Sequence, residues 1–113
     1  MKSHFTIPQL PRLCNEILIL SILSRGKRHG YELALELEEA SEAYFKFNHG
    51  TLYPILHKLE KDGLIRGQWQ QEGRQRKRRT YMITGKGKKF LAVQKEDWKQ
   101  FFGKLFAILE ENE

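Results

Sequence analysis

The sequence predicts a mainly α fold with one small β-hairpin. Three observations lead there. Apolar residues recur at helical spacing up to about Gly63 and again after Thr84, and between them the period drops to two. The basic charge gathers in the period-two stretch: from Arg66 to Lys89 there are nine Lys or Arg against the single acid Glu72, a local charge of +8 in a chain whose net charge is +6. The last stretch then carries an apolar stripe too long for a domain this small to cover.

At 113 residues the chain fits one domain with a modest core, burying ~65% of its unfolded surface. No apolar run approaches the ~20 residues that span a bilayer, and no secretory signal is evident, so a cytoplasmic protein without membrane contact is expected. Cys14, the lone cysteine, has no intramolecular partner and reads as a small buried hydrophobe.

Leu10 to Leu23 is apolar almost all round, which suits a helix contacted on several sides. "SRGKRHG" breaks the chain, and "YELALELEEA" resumes a helix from Tyr31 with Leu35 one turn on. In "NHGTLYPILHKLEKDGLI" the apolar stripe is Leu52, Ile55, Leu56 and Leu59. Asn48 is its N-cap, and Lys61 and Gly63 mark its end. Ile65 and Trp69, then Tyr81 and Ile83, form the inward faces of two strands that must pack on the preceding helices, because an isolated ribbon is marginal. "QEGRQRKR" lies between them, with Gly73 at the turn and an arginine-rich tip.

The third helix keeps Gly50 and Pro54 in its opening turns, where each weakens it. Proline cannot donate to the carbonyl four residues back, and that carbonyl belongs to Gly50, whose backbone yields most easily. On a helical projection Gly50, Pro54, His57, Lys58 and Lys61 lie opposite the leucine stripe, flanked by Thr51 and Tyr53. A face without bulk at its start and basic at its end accepts a large polyanion close to the backbone. The plainer reading is that glycine and proline only set the angle at which the chain enters the helix.

Three helices followed by a basic ribbon make a winged helix-turn-helix. "HGYELALELEEAS", "GTLYPILHKLEKDGLI" and "RTYMITGKGKKFL" resemble, in order, the signatures of the PadR family of bacterial transcriptional regulators, over roughly residues 14 to 91. The resemblance implies a homodimer that represses a nearby gene and is released by a small molecule, and the symmetry of such a dimer predicts a palindromic operator. The chain departs from the family pattern at Thr80, where an aromatic residue often stands, and in its dense cluster from Arg74 to Arg79. On this reading Asn48, His49, Gly50, Thr51, Tyr53 and Pro54 face the bases and phosphates of double-stranded DNA. His57, Lys58 and Lys61 hold its backbone, as do the wing residues Arg74, Arg76, Lys77, Arg78 and Arg79. Tyr53 also reads as a partly buried core aromatic with its hydroxyl outside.

Residues 1–84 are thus expected to form the DNA-binding domain and 85–113 a C-terminal dimerisation helix. Thr84 caps that helix, which repeats Leu91, Trp98, Leu105 and Gln94, Phe101, Ile108 at seven-residue spacing. Such a stripe pairs with its copy, through Leu91, Trp98, Phe101, Leu105 and Ile108, with the first helix as second contact. The chain resembles the short PadR branch and, within it, multidrug-sensing repressors whose paired tryptophans sandwich flat aromatic compounds. That likeness implies a ligand site of Asn15, Trp98, Phe101 and Phe102 for a small planar aromatic ligand; an aromatic stripe at this spacing also reads as a plain dimer core.

Catalysis finds no support. The four histidines show no ligand spacing with carboxylates or Cys14, and no nucleophile elbow or phosphate loop is present, so neither enzyme, metal nor cofactor is expected. A winged helix used for RNA or protein contact remains the alternative, and a basic chromosome-coating protein a third.

Overall fold

The computed structural model describes residues 10–73 and 76–110. Its elements are α1 (Leu10–Leu23), β1 (Arg28–His29), α2 (Gly30–Ala40), α3 (His49–Lys61), β2 (Ile65–Glu72), β3 (Arg76–Ile83) and α4 (Gly85–Glu110). The mainly α fold with a β-hairpin wing is as the sequence predicts. The sheet has three antiparallel strands rather than two, in the order β1-β3-β2. β1 pairs Arg28 with Tyr81 and His29 with Thr80, a pairing too short to leave a period in the sequence.

One core joins the helices and the base of the sheet. Ile19, Leu20 and Leu23 of α1, Leu33 and Leu37 of α2, and Leu52, Leu56 and Leu59 of α3 meet Leu64, Ile65, Tyr81 and Leu91. The α3 stripe is thus the expected one. On α2 the buried face is Gly30, Leu33 and Leu37; Tyr31 and Leu35 lie exposed. Cys14 is only half-buried, and that burial pushes its thiol pKa up.

Asn48 caps α3 by accepting the Thr51 amide proton on its side chain at 2.9 Å. At the other end Gly63, at φ +77°, donates to Glu60, and the Leu64 N–H reaches the Leu59 carbonyl at 2.9 Å. That pair of bonds is a Schellman closure, which turns the chain directly into β2. Thr84 caps α4 as expected: its hydroxyl oxygen accepts from the Gly87 N–H at 3.0 Å and its O–H donates to the Gly63 carbonyl at 2.7 Å. The same residue therefore ties the start of α4 to the end of α3.

Gly87 is where α4 crosses the core. A β-carbon there would fall inside the Leu64 carbonyl oxygen, so only glycine permits the approach. Leu91, one turn on, is buried with it. Beyond Phe102 every described residue of α4, 103–110, is exposed. At ~1.5 Å per residue these two turns form one end of a molecule whose overall extents are 64 × 35 × 22 Å. Leu91, read from the sequence as a dimer residue, belongs instead to the core of the chain itself, because Gly87 brings α4 against the sheet at that turn.

The hairpin differs from expectation in two respects. Trp69 does not pack on the helices; it is 64% exposed and carries the Arg79 guanidinium over its ring instead. The strands are also longer than expected, with Glu72 paired to Arg76 and Gly73 at φ +70° beginning the turn. Arg76 to Arg79 are therefore strand residues rather than tip residues.

Candidate nucleic-acid interface

α3 turns Leu52, Leu56 and Leu59 fully inward. That fixes the opposite face: Gly50, Thr51, Tyr53, Pro54, His57, Lys58 and Lys61 are all exposed, together with Asn48 before the helix. His49 opens α3, and its side chain lies outside what is described. Pro54 sits within the helix as expected and leaves the Gly50 carbonyl without its usual donor. A β-carbon at Gly50 would come within 3.3 Å of the Asn48 side-chain oxygen, so the glycine also makes room for the cap.

Two of these residues have duties inside the fold. The Tyr53 ring lies across the start of α2, where a β-carbon at Gly30 would meet its hydroxyl at 2.8 Å. Tyr53 is 42% exposed, as a partly buried aromatic is expected to be. Lys58 places its ammonium 3.0 Å from Asp62 and 3.4 Å from Glu16 of α1. The hydrogen bond to Asp62 foremost, with Glu16 adding, raises the Lys58 pKa above the usual lysine value.

The wing is engaged at its base in the same way. Arg78 donates to the Tyr31 hydroxyl at 2.8 Å with its guanidinium 5.0 Å from the ring centroid, and His29 stacks on the same Tyr31 ring at 5.7 Å. Arg79 forms an ion pair with Glu60 of α3 and lies over the rings of Trp69 and Tyr81, at 5.3 and 5.8 Å. Burial pushes the Tyr81 phenol pKa up, against the lowering effect of Arg79. Thr80, which is buried, donates to Gln70 at 2.9 Å and lies 3.2 Å from His29, so the departure from the family pattern at this position is filled by a polar contact to β1. Arg76 and Lys77 belong to β3 with side chains outside what is described, and Arg74 lies outside the described residues.

Between α3, the start of α2 and the wing lies a cleft of about 820 Å³, walled by Tyr31, Tyr53, His57, Trp69 and Arg79. Sequence reasoning missed Glu60, Tyr31 and Trp69 as members of this surface. Gly67, an unexpected glycine inside a strand, was the one available signal that another group comes close there.

α4 carries the second surface. Phe101, Leu105, Phe106, Ile108 and Leu109 are exposed, from 38% at Leu105 to 65% at Ile108. Trp98 is half-buried, donating to Gln94 at 3.3 Å and meeting Phe102 at 5.5 Å between centroids. Phe101 makes an edge contact with Phe102 at 5.2 Å, and Asn15 of α1 is half-buried. Among the described residues no group of three His, Cys, Asp or Glu is placed to hold a metal ion, and no helix is long and apolar enough to cross a membrane.

The chain matches the model of the transcriptional regulator PadR-like family over residues 19–93. It is 30% identical over 81 residues to an uncharacterized protein of Lysinibacillus sphaericus, covering 72% of this chain and 74% of that one. It is 29% identical over 80 residues to the negative transcriptional regulator PadR of Bacillus subtilis, covering 71% of this chain and 42% of that one. The chain thus spans less than half the length of that regulator. Among solved structures, a PadR family transcription regulator of Clostridium difficile superposes with a TM-score of 0.75 at 31% identity, covering 84% of this chain and 97% of that one. A transcriptional regulator of Clostridium thermocellum gives a TM-score of 0.80 at 25% identity, with 91% and 97% covered.

Proposed function

The chain belongs to the PadR-like family of transcriptional regulators, DNA-binding proteins rather than enzymes, and from that membership we propose that it is a homodimeric repressor acting in the cytoplasm on a palindromic operator. Residues 1–84 present the exposed face of α3 to the major groove, with the basic wing on the neighbouring backbone, and 85–113 join two copies. What carries this reading is the end of α4: a helix that leaves its subunit with Phe101, Leu105, Phe106, Ile108 and Leu109 uncovered has a second copy as its natural cover. Two symmetry-related α3 helices then meet two half-sites about one DNA turn, ~34 Å, apart.

Sedimentation and footprinting test this together. The wild type is expected to sediment as a dimer and to protect two half-sites related by a dyad. Phe101→Asp with Ile108→Asp is expected to give monomers and to lose the paired footprint. A wild-type monomer with no duplex preference would leave the RNA or protein alternative.

A ligand-sensing role is the second part of the proposal. The packed rings of Trp98, Phe101 and Phe102, with Asn15 on α1, offer two symmetry-related aromatic walls to a planar aromatic ligand at the dimer centre. Release follows only as far as the ligand prefers a subunit arrangement that misplaces α3, a coupling of ~1–3 kcal/mol in typical cases.

A further inference from the structure

We propose that Arg79 is a positioning residue that sets the angle between the wing and α3, and that it does not contact DNA; the role rests on the reading above, in which α3 and the wing bind one duplex together. The β2–β3 ribbon joins the core at its base, where Ile65 pairs with Ile83 and Gly67 with Tyr81. The next rung along the same face is Trp69 with Arg79, where Trp69 is already 64% exposed, and a two-stranded ribbon without packing has no defined direction. On this face Arg79 supplies the tie to α3, while Arg78 on the other face ties the ribbon to Tyr31 of α2.

Its guanidinium crosses the bare α-carbon of Gly67, lies over the rings of Trp69 and Tyr81, and ends on the Glu60 carboxylate of α3. A β-carbon at Gly67 would meet its Nε at 2.6 Å, its Nη2 at 2.8 Å and its Cζ at 2.9 Å. Glycine inside a strand costs stability, and its use here is to open that path. The ion pair is only 28% and 30% exposed on its two sides, so it is less screened than a surface pair. A phosphate at the same guanidinium would sit against Glu60, like charge to like. Arg79 therefore ties β3 to the helix that reads the groove, and the wing's outer cations act from further along the ribbon. Because wing and helix must engage the same duplex at once, their angle selects which duplex shapes satisfy both.

Gly67→Ala, Glu60→Gln and Arg79→Gln test the clamp, the first without changing any charge. Amide hydrogen exchange needs no DNA: all three are expected to speed exchange across 65–72 and 76–83 while α1 stays as protected as in the wild type. Unchanged protection of the wing in these variants would overturn the clamp, whatever the protein binds. For DNA, the probe is the duplex that the wild type selects from a random-sequence library. Gly67→Ala and Glu60→Gln are expected to weaken it about ten-fold, the scale of one mismatched base pair, and to leave binding to unselected duplex and the salt slope unchanged. The double variant Glu60→Gln with Arg79→Gln is expected to be no weaker than the worse single. A direct phosphate contact gives the opposite signs: Glu60→Gln binds every duplex more tightly, and Arg79→Gln lowers the salt slope by about 0.9. If the wild type selects no duplex, the DNA-binding reading fails and the exchange experiment still decides the clamp.

Discussion

The Lys58 ammonium stands 3.4 Å from the Glu16 carboxylate, and the Glu16 side chain is only 7% exposed. A residue on the proposed DNA face of α3 thus also satisfies a buried acid on α1. Lys58 and Lys61, alike in sequence, are then not alike in consequence.

Lys61→Ala is expected to lower the slope of log affinity against log salt by about 0.9 with stability unchanged, if it holds one phosphate. Lys58→Ala is expected to lower the slope similarly and, in addition, to cost ~1 kcal/mol in urea denaturation, because Glu16 is deprived of a partner that is itself half in solvent. Lys58→Ala together with Glu16→Gln is expected to recover most of that stability. Equal stability of Lys58→Ala and the wild type would show that Glu16 does not depend on the lysine.

Two glycines of α4 are expected to respond in opposite directions to alanine. At Gly87 the added β-carbon meets the Leu64 backbone carbonyl, which cannot swing away, so a loss of ~2–3 kcal/mol is expected. At Gly103 nothing lies within 4 Å, and relief of the helix penalty is expected to add ~0.5–1 kcal/mol. Denaturant midpoints at matched protein concentration read both.

The basic wing divides at residue 78. Arg74, Arg76 and Lys77 changed together to Gln are expected to reduce affinity for all duplexes, lowering the salt slope by about 0.9 for each phosphate no longer held, with circular dichroism unaltered. Adding Arg78→Gln is expected to release Tyr31 as well, since its guanidinium both donates to that hydroxyl and covers the ring. A loss of helical signal in the triple variant would make the outer cluster structural.

Trp98→Ala separates a sensor from a plain dimer core. Phe101, Leu105 and Ile108 remain exposed for a partner, so dimerisation and operator binding are expected to persist while quenching by planar aromatic compounds and release from the operator disappear. Dissociation to monomers in sedimentation, with no quenching of the wild type, would assign Trp98 to the interface alone.

Much of this was legible without a structure because periodicity reports burial directly. Leu52, Leu56 and Leu59 recur at helical spacing and are all fully buried, and Asn48, Gly63 and Thr84 stop and start helices through local chemistry that needs no distant partner. The exposed face of α3 and the stripe of α4 follow from the same arithmetic. Tertiary structure decided what spacing cannot encode. β1 exists only because β3 passes beside Arg28 and His29. Leu91 and Ile108 share one amphipathic pattern, yet Gly87 seats the first in the core of the fold while the second projects past it. Arg79 reads in sequence as one more cation in a basic run. Its partners Glu60 and Tyr81 lie 19 residues back and two residues on, and only the folding of β3 across α3 brings both to the same guanidinium.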